Sequence, residues 1–294
     1  MGLFFSSDRF TRPGPGVRPD APRKKGVARL AEIMGRDMWN FFRAGFLAFL
    51  GCLPFIIGMF FAVETHALLF MLLAGIIGGL IAGPELSAMA DTVLRSLRDE
   101  PGYWWETYRR VWKRNARESL VPGMLTGLVL SMQIFTLFHM SVISAGIVTW
   151  VLLILSFVVT LGLESYIWPQ IALLDLPLYG ILKNSLLLFL GYLPRSLGAI
   201  AIKAVYWGAI LLFFPLTTII LPFTNFWLPM LPALLCIYQP LNKCFTIEST
   251  INKMREDELN AALAKDNEPL PEDPTEKAEK FTEASSDDSS SGVQ

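Results

Sequence analysis

The chain has 294 residues, of which 53% are hydrophobic and only 17% charged, whereas a soluble domain carries roughly a quarter charged residues. Its net charge of −1 conceals a basic body and an acidic tail. Residues 1–254 hold 21 Lys and Arg against 14 Asp and Glu, and residues 255–294 hold 4 against 12. The apolar residues form long blocks. This composition argues against a soluble globular domain and predicts a membrane body followed by an acidic tail.

Residues 1–36 are predicted to be a basic leader that ends in a short amphipathic helix at residues 27–36. A Pro-Gly-Pro-Gly run at residues 13–16 breaks regular structure. The first apolar block begins near Asp37 and runs to about Val63, which is too long for the hydrophobic part of a signal peptide. We therefore expect a solvated leader rather than a cleaved signal.

Long apolar blocks predict six transmembrane helices, arranged as three hairpins, in an all-α polytopic membrane domain over residues 37–250. The predicted spans are 38–63, 67–83, 119–139, 146–173, 197–221 and 226–245. Glycines in the second span favour close helix packing, and a hinge for gating is the alternative interpretation. These glycines are Gly75, Gly78, Gly79 and Gly83.

Two regions outside the spans have patterns of their own. Residues 175–195 lie between the fourth and fifth spans, are largely apolar, and are long enough for a re-entrant or interfacial helix. Residues 251–294 are predicted to form a cytoplasmic helix, followed from Asn267 by a disordered acidic tail.

The basic residues set the expected orientation. Of the 25 Lys and Arg, nine lie in residues 1–43, seven in 95–117, three in 183–203 and six from residue 243 onward. The short turns at the other ends of the three predicted hairpins therefore hold none. By the positive-inside rule, both termini and both long loops are expected to lie on the cytoplasmic side of a bacterial cell membrane.

The segment from Pro84 to Pro122 is the most informative part of the chain. Asp99 and Glu100 followed by proline form a helix start signal. The next helix is aromatic and basic, which predicts an interfacial helix with its rings towards lipid and its cations on phosphate, or a helix that binds a partner. Nucleic-acid binding is disfavoured because the helix is tethered between membrane spans. The residues of this surface are Trp104, Trp105, Tyr108, Arg109, Arg110, Trp112, Lys113 and Arg114.

Each predicted hairpin returns to the cytoplasmic side through a proline, namely Pro84, Pro169 or Pro240. We expect these prolines to kink their helices. Three hairpins of equal orientation suggest a parallel repeat around a cytoplasm-facing vestibule. The chain contains 19 prolines, so coincidence remains the alternative explanation.

Ionisable residues within spans are the default functional candidates, because burying a charge in hydrocarbon is costly. Glu164 and Lys203 are expected to meet as an ion pair between the fourth and fifth spans. That pair either fastens two helices or forms a polar lining for a vestibule. Glu85 and Gln170 follow Pro84 and Pro169 directly, and they are expected to face the same space.

The sequence lacks the motifs of common enzymes. No Gly-rich phosphate loop, nucleophile elbow, zinc-protease motif or paired-cysteine site is present. The cysteines are expected to be reduced and buried, and the histidines, His66 and His139, are expected to stand alone at the ends of predicted spans. We therefore predict no catalytic residues, no metal, no cofactor and no enzymatic activity. The three cysteines are Cys52, Cys236 and Cys244.

Several segments resemble one family of bacterial proteins. The leader contains RPGPGV and DAPRKKG, and later come GPELSAMADTVLRSLRDE and WWETYRRVWKRNARESL. Over residues 13–250 this pattern is similar to that of the YesL-like family of Gram-positive bacteria. The resemblance implies integral membrane proteins without an established activity, often encoded near genes for carbohydrate uptake and degradation.

The sequence and this resemblance together predict a non-enzymatic membrane protein accessory to carbohydrate uptake, acting on a partner such as an ABC sugar transporter. The alternative is an autonomous small-solute transporter or channel with a cytoplasm-facing vestibule. A lipid-binding or envelope-stress protein is a third interpretation, which rests on the aromatic and basic helix alone. The oligomeric state stays open.

Overall fold

The structure is a computed structural model that describes residues 23–100, 102–140, 142 and 146–266. Within these ranges every regular element is helical. Six of the described helices are long and apolar enough to cross a membrane. The predicted all-α polytopic membrane fold with six spanning helices is therefore confirmed. The leader before residue 23 and the acidic tail after residue 266 lie outside the described residues.

The long helices follow one another in the order expected for three hairpins. They are α1 (Gly26–Thr65), α2 (Leu68–Arg98), α3 (Trp104–Phe138), α4 (Ile147–Leu173), α6 (Leu193–Leu212) and α7 (Trp227–Phe245). The shorter apolar helix α5 (Leu178–Gly191) connects α4 to α6, where the sequence predicts an interfacial or re-entrant segment. Helical turns at Leu216–Thr218 and Leu221–Thr224 precede α7.

Large apolar side chains cover the outside of the bundle. Phe60, Leu69 and Ile154 are each more than half exposed, and they stand for many similar residues on α1, α2 and α4. Such a surface would be unfavourable in water, but it suits contact with lipid chains. The exposed apolar surface therefore agrees with a multi-pass membrane protein.

Two predicted helix boundaries are wrong. The amphipathic segment 27–36 and the first span form one continuous helix, α1, of 40 residues. The aromatic and basic helix and the third span are likewise one helix, α3, which continues through Pro122. A proline removes only one backbone hydrogen bond, and packing against neighbouring helices compensates for that loss in a membrane protein.

The fifth span is shorter than predicted. The helix α6 ends at Leu212, although the apolar pattern continues to about residue 221. Pro215 and Pro222 follow closely, and a proline disfavours helical conformation at the residue before it. The chain therefore makes short helical turns here instead of continuing α6.

Glycines allow α2 to cross α3 at very short distance. A Cβ atom at Gly127 would lie 2.8 Å from the Cα of Gly79, and a Cβ at Gly123 would lie 2.9 Å from the Cα of Gly83. On its other side, α2 packs against α1, where a Cβ at Gly78 would lie 2.6 Å from the Cα of Phe55. The interpretation that these glycines serve close packing agrees with this arrangement.

The remaining helices complete the bundle. The helix α4 packs on α2, α3, α5 and α6, and α7 packs mainly on α6 and also on α1 and α2. The described residues divide into two units, one that ends at Phe245 and one that begins at Thr246. The helix α8 (Ile247–Asp266) belongs to the second unit and is described by itself.

The alternating directions of α1, α2 and α3 give this part of the bundle two different ends. One end, here called the basic end, contains the start of α1, the end of α2 and the start of α3, with Arg29, Arg36 and Asp99 in contact. The opposite end, called the histidine end, contains the turn between α1 and α2 and the end of α3, where His66 and His139 are in contact.

Candidate functional site

Two arginines of α1 cap the end of α2 at the basic end. Arg29 donates from Nη2 to the Leu97 carbonyl at 3.1 Å and to Asp99 Oδ2 at 2.7 Å. Arg36 donates to the Ser96 carbonyl at 2.8 Å, and it also binds the Asp99 carboxylate. The last carbonyls of a helix lack partners within the helix and carry a partial negative charge. Arginines at this position therefore fix α1 to α2 and complement the helix dipole.

Asp99 stands at the centre of this contact. Its backbone is left-handed, with a φ of 59°, which ends α2. Partial burial by itself would raise the pKa of the Asp99 carboxyl, but hydrogen bonds from Arg36 and Arg29 and their positive charges hold that pKa below its usual value. The carboxylate therefore stays ionised, and the contact stays formed, at any pH near neutrality.

A second group of charges lies along the last turns of α2. Arg95 pairs with the buried Asp91 at 2.7 Å and with Glu100 at 3.2 Å, and Arg98 donates to Glu100 at 2.8 Å. Asp91 and Arg98 are 3% and 8% exposed. Buried charges are tolerated when they are paired and hydrogen-bonded. These pairs make the end of α2 a fixed frame for the adjoining helices.

A cavity of about 300 Å³ opens beside this frame. Its walls come from α1, α2 and the start of α3. The lining includes Asn40, Arg36, Arg95, Trp104 and Thr107. The volume is at the lower limit for a small-molecule site, and its charged side chains are already paired within the chain. The cavity therefore has room for a small polar solute.

Glu85 connects α2 to the aromatic side of α3. Its carboxylate accepts a hydrogen bond from the Tyr108 hydroxyl at 2.6 Å and another from the Trp112 indole Nε1 at 2.9 Å. Tyr108 is buried, and Trp112 is 36% exposed. Tyr108 therefore lies in a contact between helices, not at the surface that its amphipathic pattern predicts.

The other aromatic residues of this helix lie closer to the surface. Trp105 is 51% exposed, and Trp104 is half-buried. The Arg43 guanidinium lies 5.3 Å from the centre of the Trp39 ring and 5.7 Å from that of Trp104. A cation over aromatic rings is stabilised by their quadrupoles. The Arg43 side chain thus extends towards the basic end, as expected for a charged residue within a span.

The basic residues of α3 fall into two groups. Arg114 donates to the Ala172 carbonyl at 2.7 Å and to the Asn115 side chain at 3.0 Å, so it connects α3 to the end of α4. The remaining cations of this helix are exposed. Within the described residues they form no ion pair. We call these four residues the cationic face: Arg109, Arg110, Lys113 and Arg117.

Glu164 and Lys203 form the expected ion pair between α4 and α6, with 3.8 Å between Lys203 Nζ and Glu164 Oε2. Trp168 also donates its indole N–H to Glu164, at 3.2 Å. The space beside the pair is about 10 Å³, hardly enough for a water molecule. In this structure the pair fastens two helices, and it does not line an open path.

Gln170 is fully buried and connects α4 to α5. Its amide donates to Ser185 Oγ at 2.8 Å and to the Tyr166 carbonyl at 3.1 Å. Neither Gln170 nor Glu85 lines the space beside Glu164 and Lys203. The structure therefore does not bring the four predicted polar residues into one site.

The three prolines also do not enclose one cavity. Pro84, Pro169 and Pro240 each lie inside a helix, and none of them ends it. Pro169 lines the small space beside Glu164, whereas Pro84 and Pro240 line neither of the two spaces described above. The parallel repeat remains a prediction.

Sequence reasoning missed the contact between the two histidines. His66 Nδ1 and His139 Nε2 are 2.7 Å apart. The residues are separated by 73 positions in the chain, so no local motif marks them. Both lie at span ends on the same predicted side of the membrane. This shared position is the feature of the sequence that could have predicted the contact. The expectation that the histidines stand apart is wrong.

No family model, curated protein or solved structure matches the chain. The resemblance to the YesL-like family thus rests on the quoted sequence segments and stays a prediction. Among the described residues, no group of three or more His, Cys, Asp and Glu side chains could hold a metal ion. The cysteines Cys52, Cys236 and Cys244 are free thiols. Cys52 is buried, whereas Cys236 is half-buried and Cys244 is exposed, so the expectation that all three are buried is wrong.

Proposed function

We propose that this protein is a non-enzymatic membrane component accessory to carbohydrate uptake, which binds a partner such as an ABC sugar transporter through its basic end. The observation that carries the proposal is the cationic face. Four exposed cations lie close together on α3, while Arg36, Arg95 and Arg114 nearby are engaged within the chain. A surface of this kind suits a partner with an acidic surface.

The helix that presents the cationic face is fixed on both sides. Glu85 anchors it to α2 through Tyr108 and Trp112, and Arg114 anchors it to α4. A preorganised surface loses little conformational freedom on binding, so more of the interaction energy contributes to affinity. This rigidity supports docking over a role in which α3 moves to carry solute.

The orientation of the protein in the membrane and its substrate class are supported by two separate observations. The positive-inside rule supports a cytoplasmic basic end, and the resemblance to the YesL-like family supports carbohydrate uptake. A reporter fused after Glu100 should be active on the cytoplasmic side of a bacterial cell membrane. Activity of that reporter outside the cell would overturn the proposed orientation.

The proposal is tested by purifying the full chain in mild detergent and identifying its partners by mass spectrometry. We expect both the membrane and the ATPase subunits of a sugar transporter to be recovered. Replacing all four residues of the cationic face by Gln should lower that recovery by about tenfold or more, because four favourable charge contacts are lost.

The matched control removes four exposed cations that lie outside the cationic face. Replacing Lys24, Lys183, Arg195 and Lys243 by Gln changes the net charge equally, and it should leave recovery within about twofold. Equal losses in the two quadruple variants would contradict docking through the cationic face. Absence of any transporter subunit from the wild-type preparation would contradict the partner.

An autonomous transporter is the second candidate, favoured by the cavity of about 300 Å³ at the basic end. A solute path would have to continue from this cavity through the bundle. The filled space around Glu164 and Lys203 argues against such a path there. Solute flux into liposomes that contain only the purified chain would reverse the ranking of the two candidates.

A further inference from the structure

We propose that His66 and His139 form a proton-sensitive clasp at the histidine end of the bundle. His66 lies in the turn between α1 and α2, and His139 ends α3. Their ring nitrogens are 2.7 Å apart, and the rings are nearly perpendicular, at 82°. The contact ties the α1–α2 turn to α3. It lies at the end of the bundle opposite the cationic face, so it stands independently of the proposed function.

The neighbouring carbonyl determines which nitrogens carry hydrogen. His139 Nδ1 lies 2.7 Å from the Phe135 carbonyl oxygen, which can only accept. The Nδ1 of His139 must therefore be the donor, and in the neutral ring its Nε2 keeps a free lone pair. His66 Nδ1 faces that lone pair and must donate to it. Both neutral rings are thus Nδ1–H tautomers.

This arrangement accepts one proton but not two. His66 is exposed, and its Nε2 can take up a proton while Nδ1 continues to donate to His139. The bond between the rings then becomes charge-assisted and stronger. A second proton on His139 Nε2 would place two N–H groups against each other and two positive charges side by side. The clasp therefore has to open before His139 is protonated.

Few other charged or titratable side chains lie near His66 and His139. Across residues 44–84, 119–140 and 146–163, the parts of α1, α2, α3 and α4 that lead to this end, Glu64 is the only Asp, Glu, Lys or Arg. Glu64 lies in the same turn as His66 and is exposed. The one cysteine in these ranges, Cys52, has a side chain of a type that is ordinarily neutral below pH 8. Histidine is the side chain that changes charge between about pH 5 and 8.

Opening the clasp would loosen the packing beneath it. The His139 ring stacks on Phe135, with 4.0 Å between ring centres. Phe135 in turn packs on a buried apolar cluster of α1 and α2 that contains Met59, Ala62, Met71 and Ala74. A proton on His139 would therefore act on the contact of all three helices at this end. The clasp is a two-state element whose equilibrium depends on pH.

The test uses nitrogen NMR of the full chain in lipid nanodiscs. The chain contains only two histidines, so ¹⁵N-histidine labelling, with a purification tag free of histidine, reports on these rings alone. At pH 8 we expect both rings as Nδ1–H tautomers and a scalar coupling across the hydrogen bond from His66 Nδ1 to His139 Nε2. As the pH falls to 5, His66 should take up a proton first, with the coupling retained. Protonation of His139 should coincide with loss of the scalar coupling.

Two variants sharpen the test. Replacing His66 by Phe removes the donor, so the coupling should be lost while His139 keeps its Nδ1–H tautomer on the Phe135 carbonyl. Replacing Glu64 by Gln should leave the coupling and the order of protonation unchanged. An Nε2–H tautomer of His139 at pH 8, the absence of the coupling, or protonation of His139 before His66 would each overturn the proposal.

Discussion

The two ends of the bundle are held together by different interactions. At the basic end, charged side chains of α1 and α2 bind one another and the last carbonyls of α2. At the histidine end, one hydrogen bond between imidazole rings and apolar packing connect the same helices to α3. Charge-assisted bonds to carboxylates persist over a wide pH range, whereas a bond between histidines depends on pH near neutrality. One end is therefore a fixed frame, and the other can respond to protons.

A glycine crossing between α2 and α3 joins the two ends, and breaking it should have the largest effect. In Gly79→Ala, the new Cβ would meet the Gly123 carbonyl of α3, which no rotamer change relieves. We expect unfolding in detergent to become easier by about 3 kcal/mol or more. Thermal unfolding followed by tryptophan fluorescence measures this change.

The matched control for Gly79→Ala is Gly208→Ala in α6, where a Cβ would have nothing within 4 Å. That change should be neutral or stabilise the helix by up to about 1 kcal/mol, since alanine favours helices over glycine. Equal destabilisation of both variants would show that the crossing is less tight than the distances indicate.

Arg29→Ala should have the next largest effect, and it tests whether the basic end is a fixed frame. Arg29 is 5% exposed, and its loss leaves the Leu97 carbonyl and one oxygen of Asp99 without this donor. Water can replace part of the interaction, so we expect a loss of about 1–3 kcal/mol in the free energy of unfolding. Denaturation of the purified protein measures it.

Arg109→Ala is the comparison for Arg29→Ala on the same end. Arg109 is exposed and forms no ion pair within the described residues, so its removal should change stability by less than about 0.5 kcal/mol. If both variants had the same stability as the wild type, the contacts of Arg29 would not hold the basic end together.

The sequence predicts the helical class and the number of spans because both depend on long apolar blocks. It does not predict where the helices end. Pro122 lies inside α3 because neighbouring helices support the helix, and α1 continues past Arg36 because that side chain binds the end of α2. Both effects depend on residues that are distant in the chain.

Dependence on distant residues also explains why the sequence does not predict the hydrogen-bond partners of Glu85. Glu164 and Lys203 could be paired from their depth in adjacent spans. Glu85 instead binds Tyr108 and Trp112, and its partners depend on how α2 and α3 are rotated against each other. The glycines at the crossing fix that rotation only once the fold is formed.

Hydrogen exchange of both ends, in one sample of the full chain at pH 7.5 and pH 5.0, tests the difference between them most directly. Asp99 has a pKa below its usual value of about 3.9. Its contribution to stability is present above that usual value and is lost only as the pH falls through the lowered one. The contact of Asp99 with Arg29 and Arg36 should therefore stay formed at pH 5.0, while the histidine clasp opens.

With protection corrected for the intrinsic effect of pH, we expect exchange over residues 62–68 and 135–140 to become about tenfold faster at pH 5.0. Exchange over residues 97–100, around the Asp99 contact, should change by less than about twofold. Unchanged protection at the histidine end, or an equal loss at both ends, would contradict the contrast between a fixed basic end and a proton-sensitive opposite end.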